Sequence, residues 1–204
     1  MEPSEREHPD TTEDRLDRLE STEAIRRLAA KYALAIDTRS LDHLVSCFAP
    51  DVQVGADRAG RAALKEWFDA TLRDRFGQTA HIIANHLIEL DDPHHAHGVL
   101  YCRAEHEMGD DFVVVQMQYW DTYERLDGRW YFRRRLPLFW YAVDQDDRPV
   151  GPAKIRWPDR PPAEGPLPEF WPTWQQFWTA EPSGDWTVGA LPPEGAFLRT
   201  LRPF

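Results

Sequence analysis

The sequence predicts an α+β fold in which three N-terminal helices pack against a curved antiparallel sheet. Apolar residues recur with a helical period up to about residue 76 and with the two-residue period of strands from residue 79. Short polar turns separate the four predicted strands, and helices followed by such a meander are typical of α+β folds. A composition change marks an extension, because twelve of the seventeen prolines lie beyond residue 145.

The first helix is predicted over residues 22–37, with Ser21 as a candidate N-cap and a short turn before it. Its apolar positions follow the 3.6-residue repeat: Ile25, Leu28, Ala29, Tyr32, Ala35 and Ile36. A short second helix follows Ser40, and a third spans about 60–76. Residues 1–14 are polar and charged, and we expect them to be disordered.

Four strands are predicted, at about 79–91, 97–108, 112–126 and 129–139. In the first of them, strict alternation places His81 and Asn85 on one face together with Ile83 and Leu87. Two polar side chains on a face that should pack against helices predict a pocket at that position.

Beyond residue 145, proline at this density excludes regular elements over most of the extension. Disordered segments are poor in aromatic residues, so we expect the aromatic side chains of the extension to pack. They are Trp157, Phe170, Trp171, Trp174, Phe177, Trp178 and Trp186. A short helix is predicted after Pro172. The organisation is therefore a domain over 15–144 and an extension over 145–204 that packs on a cavity mouth or a neighbouring subunit.

Charge and composition exclude several classes of partner and cofactor for this protein. The formal net charge of −11 argues against a nucleic-acid partner and against binding to anionic membranes. Cys47 and Cys102 lie in apolar stretches and are predicted to be buried free thiols in a cytoplasmic protein. No apolar run is long enough to span a membrane, and the N-terminus does not resemble a signal peptide. No glycine-rich phosphate loop or convergent Cys/His set is present, so neither a cofactor nor a metal is expected.

Three segments carry a family resemblance: AIRRLAAKYALAIDTRSLDHLVSCFAPDV, HIIANHLIEL and YERLDGRWYFRRR. Their order and spacing resemble the SnoaL-like branch of the NTF2-like superfamily, and the resemblance covers about residues 15–142. It implies a cone in which a bent sheet wraps around three helices and encloses a deep apolar cavity. Such domains host many activities, so the site residues must indicate the function.

The resemblance also implies candidate catalytic residues. Dehydratase and dehydrochlorinase members of this superfamily have an Asp at the end of the first long helix and a His at the start of the strand after the third helix, here Asp37 and His81. Such a pair suits a general base, because the carboxylate orients the imidazole and stabilises the imidazolium. Tyr32 resembles the tyrosine of bile-acid dehydratase. His106 resembles the second histidine of scytalone dehydratase, and Arg135 resembles the cavity arginine of hexachlorocyclohexane dehydrochlorinase.

Further residues are predicted to bind the substrate. Asn85 is expected to hold a substrate oxygen, and the apolar wall is expected to include Phe48, Trp67, Met117, Tyr119 and Trp140. Strict alternation would place Arg135 opposite Trp130, so a β-bulge is required if both side chains face the interior.

The function predicted from these residues is a cofactor-independent lyase or isomerase. Its substrate would be a hydrophobic, hydroxylated aromatic or polycyclic molecule, and the reaction a dehydration or a retro-aldol cleavage. A homodimer or homotrimer is expected. A non-catalytic binding or assembly module is the main alternative. Epoxide hydrolysis through Arg103 and Glu105 is less favoured, because strand parity places both opposite His106. A ketosteroid-isomerase mechanism is also less favoured, since it needs an isolated inward carboxylate on a strand.

Overall fold

A computed structural model of the chain describes residues 11–165 and 167–179. It contains helices α1 (Thr12–Asp37), α2 (Leu41–Ser46), α3 (Arg61–Arg75) and α4 (Pro172–Thr179). A two-stranded ribbon, β1 (Gln53–Val54) and β2 (Arg58–Ala59), lies between α2 and α3. The main sheet is antiparallel with the order β3 (Thr79–Leu90), β4 (His95–Met108), β5 (Asp111–Leu126) and β6 (Arg129–Asp144). The predicted α+β class is confirmed.

Helix α1 begins ten residues earlier than the sequence predicts. Thr11 caps it, because its hydroxyl accepts a hydrogen bond from the Asp14 amide at 3.1 Å, while the Asp14 carboxylate accepts one from the Thr11 amide at 2.9 Å. This capping box satisfies two otherwise unpaired amides at the helix start. Ser21 lies buried within the helix, so its prediction as an N-cap was wrong. Residues 1–10 lie outside the described part of the chain.

The core lies between the helices and the inner face of the sheet. Helix α1 contributes its predicted apolar stripe, from Ile25 to Ile36, and packs against β3 and β6. Helix α3 buries Leu64, Phe68 and Leu72 on one side. This arrangement places the C-terminal end of α1 beside the first residues of β3.

A β-bulge in β3 changes which side chains face the core. His81 pairs with Ala104 and Ile83 with Cys102, but His86 pairs with Leu100, so one extra residue of β3 is accommodated between Ile83 and His86. His81 and Ile83 therefore face inward, and His86 is the next inward-facing residue after the bulge. The prediction that Asn85 shares the face of His81 is wrong, and Asn85 is exposed.

Two further register shifts occur in β6. The first lies between the pairs Thr122–Arg134 and Tyr123–Phe132, and it allows Trp130, Phe132 and Arg135 all to face inward. The bulge required for this arrangement is therefore present. The same shift places Leu136, Leu138 and Trp140 on the outer face of the sheet, and the second shift follows opposite Gln116 and Met117.

The described part of the extension packs on two sides of the sheet. Ile155 pairs with Ala142 of β6, and Trp157 enters the inner core. Leu167, Phe170 and Trp171 cover Trp120 on the outer face. Helix α4 forms after Pro172 as predicted, and its aromatic side chains are largely exposed: Trp174, Phe177 and Trp178. Trp186 lies outside the described residues, and the predicted role of the whole extension stays a prediction.

A close backbone approach between β3 and β4, at Gly98 opposite Ile88, leads to a first prediction. A Cβ atom at Gly98 would lie 2.5 Å from the Leu87 carbonyl oxygen, which is too close for a non-bonded contact. We expect Gly98→Ala to lower the free energy of unfolding by about 1–3 kcal/mol, as overpacking does. Urea denaturation measures this change.

Gly77→Ala is the matched control. Its Cβ would meet the Glu107 side chain at 3.4 Å, an ordinary contact that the side chain can relax. Equal unfolding midpoints for the two variants would contradict the prediction.

Candidate active site

The centre of the candidate site is a hydrogen-bonded pair formed by the last residue of α1 and the third residue of β3. His81 Nδ1 lies 2.7 Å from Asp37 Oδ1, and the His81 amide donates to Asp37 Oδ2 at 2.8 Å. The Thr79 hydroxyl donates to Asp37 Oδ1 at 2.8 Å. The His81 side chain is only 4% exposed. The carboxylate is therefore held by the strand backbone, a hydroxyl and an imidazole together.

Arg39 forms further hydrogen bonds between the end of α1 and the start of β3. It adopts a left-handed conformation with φ 57°, directly after α1 ends. Its guanidinium donates to the carbonyls of Ile36 and Gly77 and to the hydroxyl of Thr79 at 2.8–2.9 Å. These bonds connect the end of α1 to the start of β3 independently of Asp37.

The surroundings keep Asp37 ionised. Burial alone would raise the pKa of Asp37, but hydrogen bonds from His81 and Thr79 outweigh it and lower the pKa. An ionised carboxylate can only accept, so His81 Nδ1 carries the proton of this hydrogen bond and Nε2 of the neutral ring is a free base. The ring faces Tyr32 and His106, with centroid separations of 6.4 and 5.8 Å.

His106 is the second histidine of this interior. Its ring lies against Phe76 and Trp157, with centroid separations of 4.9 and 5.6 Å. Burial lowers the pKa of His106 to about 4, the charge of a protonated His81 acts in the same direction, and the Val113 backbone opposes both. Among the described residues, its Nδ1 atom has no hydrogen-bond partner.

Arg135 faces the interior, but it is not a free cation. Its Nε and Nη2 donate to the two oxygens of Asp121 at 2.9 and 2.7 Å. The guanidinium lies over the rings of Tyr32, Tyr119 and Phe132 at 4.0–4.3 Å. Burial alone would lower the pKa of Arg135, but Asp121 raises it, so the side chain stays charged. In the part of the chain that the structure describes, its Nη1 has no partner.

Asp121 begins a buried polar chain that the sequence reasoning missed. Its side chain is 0% exposed and accepts a hydrogen bond from the Tyr123 hydroxyl at 3.0 Å, which in turn lies 3.0 Å from His86 Nε2. Burial lowers the pKa of His86 to about 4. The parity of Asp121 with Tyr119 and Tyr123 could have revealed its inward position. It is an inward strand carboxylate, but its bidentate pairing with Arg135 leaves it unsuited to act as a base.

The other predicted site residues divide into two groups. Phe48, Met117 and Tyr119 lie in the core around Tyr32. Asn85, Trp67 and Trp140 do not reach it. Trp67 is 46% exposed because α3 turns Leu64, Phe68 and Leu72 inward instead. The β-bulges described above turn Asn85 and Trp140 to the other face of the sheet.

Tyr32 occupies the middle of the interior. Its ring makes edge contacts with Phe48, Phe68, Tyr119 and Phe132. Burial raises the pKa of Tyr32 to about 12, so its hydroxyl stays protonated. The deep cavity implied by the resemblance stays a prediction. A groove of about 970 Å³ lies elsewhere, between α1, α2 and the turn that joins β5 to β6.

The two cysteines and the Arg103–Glu105 pair have direct structural outcomes. Cys47 and Cys102 are buried free thiols. Arg103 and Glu105 pair with each other at 3.2 Å, on the face of β4 opposite His106. No cluster of three or more His, Cys, Asp or Glu side chains within the described ranges is placed to hold a metal ion. None of the described helices is both long and apolar enough to cross a membrane.

The buried histidines predict a specific dependence of stability on pH. The pKa of His106 is lowered from 6.5 to about 4, so between these pH values the unfolded chain binds a proton that the folded chain excludes. The free energy of unfolding should therefore be highest above pH 6.5 and fall as the pH decreases towards 4, by about 1.4 kcal/mol per pH unit for His106. We expect His106→Gln to flatten this slope in urea denaturation at pH 7 and pH 5. His94→Gln, in an exposed turn, should leave the slope unchanged.

The buried ion pair of Asp121 and Arg135 leads to a prediction about the free energy of unfolding. Asp121→Asn would leave Arg135 as a buried cation without its counter-ion, and we expect it to cost about 3–5 kcal/mol of unfolding free energy. The double variant Asp121→Leu with Arg135→Met removes both charges and should be more stable than Asp121→Asn. A double variant at least as unstable as Asp121→Asn would show that the ion pair is not the cause.

Comparisons with known proteins agree with this architecture. A family model described as a SnoaL-like domain matches residues 17–136. A search of the curated proteins gave no match. A candidate scytalone dehydratase from Novosphingobium aromaticivorans DSM 12444 is a similar solved structure. It is 23% identical, has a TM-score of 0.58, and the match covers 74% of this chain and 96% of that one.

Two hexachlorocyclohexane dehydrochlorinases are also similar in structure. LinA type 2 is 22% identical with a TM-score of 0.60, and the match covers 69% of this chain and 99% of that one. LinA type 3 from Novosphingobium barchaimii LL02 is 22% identical with a TM-score of 0.58, and the match covers 64% and 94%. At these identities the likeness shows the fold alone. Because the family model spans more than half of the 204 residues, the chain belongs to the SnoaL-like domain family of the NTF2-like superfamily.

Proposed function

We propose that this protein is a cofactor-independent lyase in which His81, oriented by Asp37, removes a proton from a hydrophobic, hydroxylated substrate. The observation that carries the proposal is the 2.7 Å contact between His81 Nδ1 and Asp37 Oδ1 in a site where His81 is almost fully buried. A carboxylate in this position selects the neutral tautomer whose Nε2 can accept a proton, and it stabilises the imidazolium that forms. General-base assistance of this kind is worth about 10²–10⁴-fold in rate.

The proposed reaction is a dehydration whose protons and electrons balance within the site. His81 Nε2 takes a proton from a substrate carbon, and the electron pair of the broken C–H bond forms the new double bond. The carbon–oxygen bond to the neighbouring hydroxyl breaks, and the imidazolium returns its proton to the departing oxygen, so that water leaves. A retro-aldol cleavage would use the same base on a substrate hydroxyl instead of a C–H bond.

Arg135 and Tyr32 are suited to stabilise charge on the substrate oxygen. Arg135 remains a cation, and its Nη1 donor is unused by the described residues. Tyr32 keeps its proton, since burial raises its pKa to about 12. In a low-dielectric interior, such preplaced donors act more strongly than they do in water. Arg135 holds its proton too strongly to act as the acid, so proton transfer in this proposal stays with His81.

The names of the similar proteins support an elimination. A dehydratase removes water, and a dehydrochlorinase removes hydrogen chloride. The apolar rings around Tyr32 favour an aromatic or polycyclic substrate. A cytoplasmic homodimer or homotrimer remains our proposal for location and assembly, and light scattering of the full chain would measure the number of subunits.

One observation favours a second candidate, a non-catalytic binding or assembly module. The interior around Tyr32 is occupied by the protein's own aromatic rings, which is the packing expected of a structural core. In that case the His81–Asp37 pair would only join α1 to β3, and its loss would affect stability alone.

Substitution of the pair tests the proposed function. A panel of hydroxylated aromatic and polycyclic compounds would be screened for loss of water by mass spectrometry and for a new conjugated absorbance. Once a substrate is found, we expect His81→Gln and Asp37→Asn each to lower kcat by about 10²–10⁴-fold, because no base of the required tautomer remains. Circular dichroism would check that each variant is folded.

The chain offers a matched control pair. His95 Nδ1 lies 2.8 Å from Asp92 Oδ2, which reproduces the same chemistry in an exposed turn. His95→Gln and Asp92→Asn should leave kcat within about twofold, the scale of an exposed substitution. No turnover of any compound in the panel would favour the binding module, whereas equal kcat in His81→Gln and wild type would show that His81 is not the base.

A further inference from the structure

Residues 153–163, which we call the strap, lie beyond the segment that the family model matches. The backbone of the strap is fixed to the sheet and to itself. Ile155 pairs with Ala142 of β6, and Ile155 and Ala163 exchange two backbone hydrogen bonds of 2.9 and 2.8 Å. This strap is therefore an ordered part of the fold and lies across the end of the sheet at β6.

A salt bridge attaches the strap to α3. Arg75 Nε lies 2.9 Å from Asp159 Oδ2, and the Arg75 guanidinium lies 5.2 Å from the centre of the Trp157 ring. The strap is thus held from both sides of the interior, by β6 on one side and by α3 on the other. Between these two attachments, Trp157 is buried, with 8% of its surface exposed.

Trp157 closes the interior over His106. Its ring lies 5.6 Å from His106, 6.2 Å from Phe139 and 6.3 Å from Phe76, measured between centroids. Phe76 covers His106 at 4.9 Å. The imidazole is therefore enclosed by aromatic rings that exclude water.

One ring nitrogen of His106 is buried without a partner. Nδ1 has no hydrogen-bond partner among the described residues. Because burial lowers the pKa of His106 and so favours the neutral ring, one of its two nitrogens carries a lone pair and no hydrogen. A buried acceptor of this kind is costly unless something binds to it.

Charged groups around His106 come from three other elements. His81 on β3 and Arg75 on α3 disfavour its protonation, and Asp37 on α1 favours it. Burial nevertheless has the largest influence on its pKa. The exclusion of water, to which Trp157 contributes, therefore decides the protonation state more than any single neighbouring charge does.

We propose that Trp157 is a positioning residue of the site, which keeps water away from His106 so that the unpaired Nδ1 accepts a hydrogen bond from a phenol-type hydroxyl of the substrate. The assignment of a substrate hydroxyl to Nδ1 rests on the proposed lyase function. The effect of Trp157 on the protonation of His106 does not depend on that function. His106 then holds the substrate through a neutral acceptor and does not deliver the proton to the leaving group.

The role of Trp157 is tested by NMR titration of His106 in the full chain, with resonances assigned through His106→Gln. In the wild-type protein His106 should titrate near pH 4. In Trp157→Ala we expect its pKa to rise by at least about one unit, because water reaches the ring. Trp157→Phe should restore most of the lowering. Trp178→Ala, which removes an exposed tryptophan of α4, should change nothing.

An unchanged His106 titration in Trp157→Ala would overturn the positioning role. If Trp157→Ala does not fold, Trp157→Leu is used with the same criterion, since leucine covers less of the imidazole than tryptophan. This readout requires no turnover, so it decides the role of Trp157 even if the proposed lyase activity is absent.

The hydroxyl subsite is tested with phenol and anisole, which share a ring and differ in the ability to donate a hydrogen bond. We expect phenol to shift the ¹⁵N resonance of His106 Nδ1 in wild type, and anisole to leave it in place. The phenol shift should weaken in Trp157→Ala. Equal shifts with both compounds, or no shift with phenol up to its solubility limit, would overturn the subsite.

Discussion

The hydrogen bonding of the Asp37 carboxylate is the interaction on which the candidate site depends. A negative charge at the C-terminal end of a helix is unfavourable by itself, because the helix dipole is negative there. Here the amide and imidazole of His81 and the hydroxyl of Thr79 bind the carboxylate and offset that cost. Asp37 thereby joins α1 to β3 alongside the hydrogen bonds of Arg39, and it selects the tautomer of His81.

The interior contains a second buried carboxylate whose situation is different. Asp121 is saturated by Arg135 and Tyr123, so it serves as a fixed counter-ion. Asp37 instead binds a group that can itself gain and lose a proton. Two carboxylates in one core thus have separate roles because their partners differ: a permanent cation for one and a titratable imidazole for the other.

The extension adds a wall that the SnoaL-like domain does not supply. The family match ends at residue 136, whereas Trp157 lies beside His106 and the strap is bound to both α3 and β6. The same extension covers Trp120 on the outer face through Trp171. An aromatic-rich segment without long regular elements therefore packs by inserting single rings at separate places on the sheet.

The sequence by itself determined the fold class and most element boundaries, because the helical and strand periods are local properties of the chain. The family positions of Asp37 and His81 also identified a pair that the structure places in contact. Only the tertiary structure decided the side-chain faces in β3 and β6. Each β-bulge inserts one residue and reverses the alternation after it, which turned Asn85 and Trp140 away and brought Arg135 inward. The pairing of Arg135 with Asp121, and of His106 with Trp157, likewise joins residues distant in sequence, and such contacts leave no local pattern for sequence reasoning to detect.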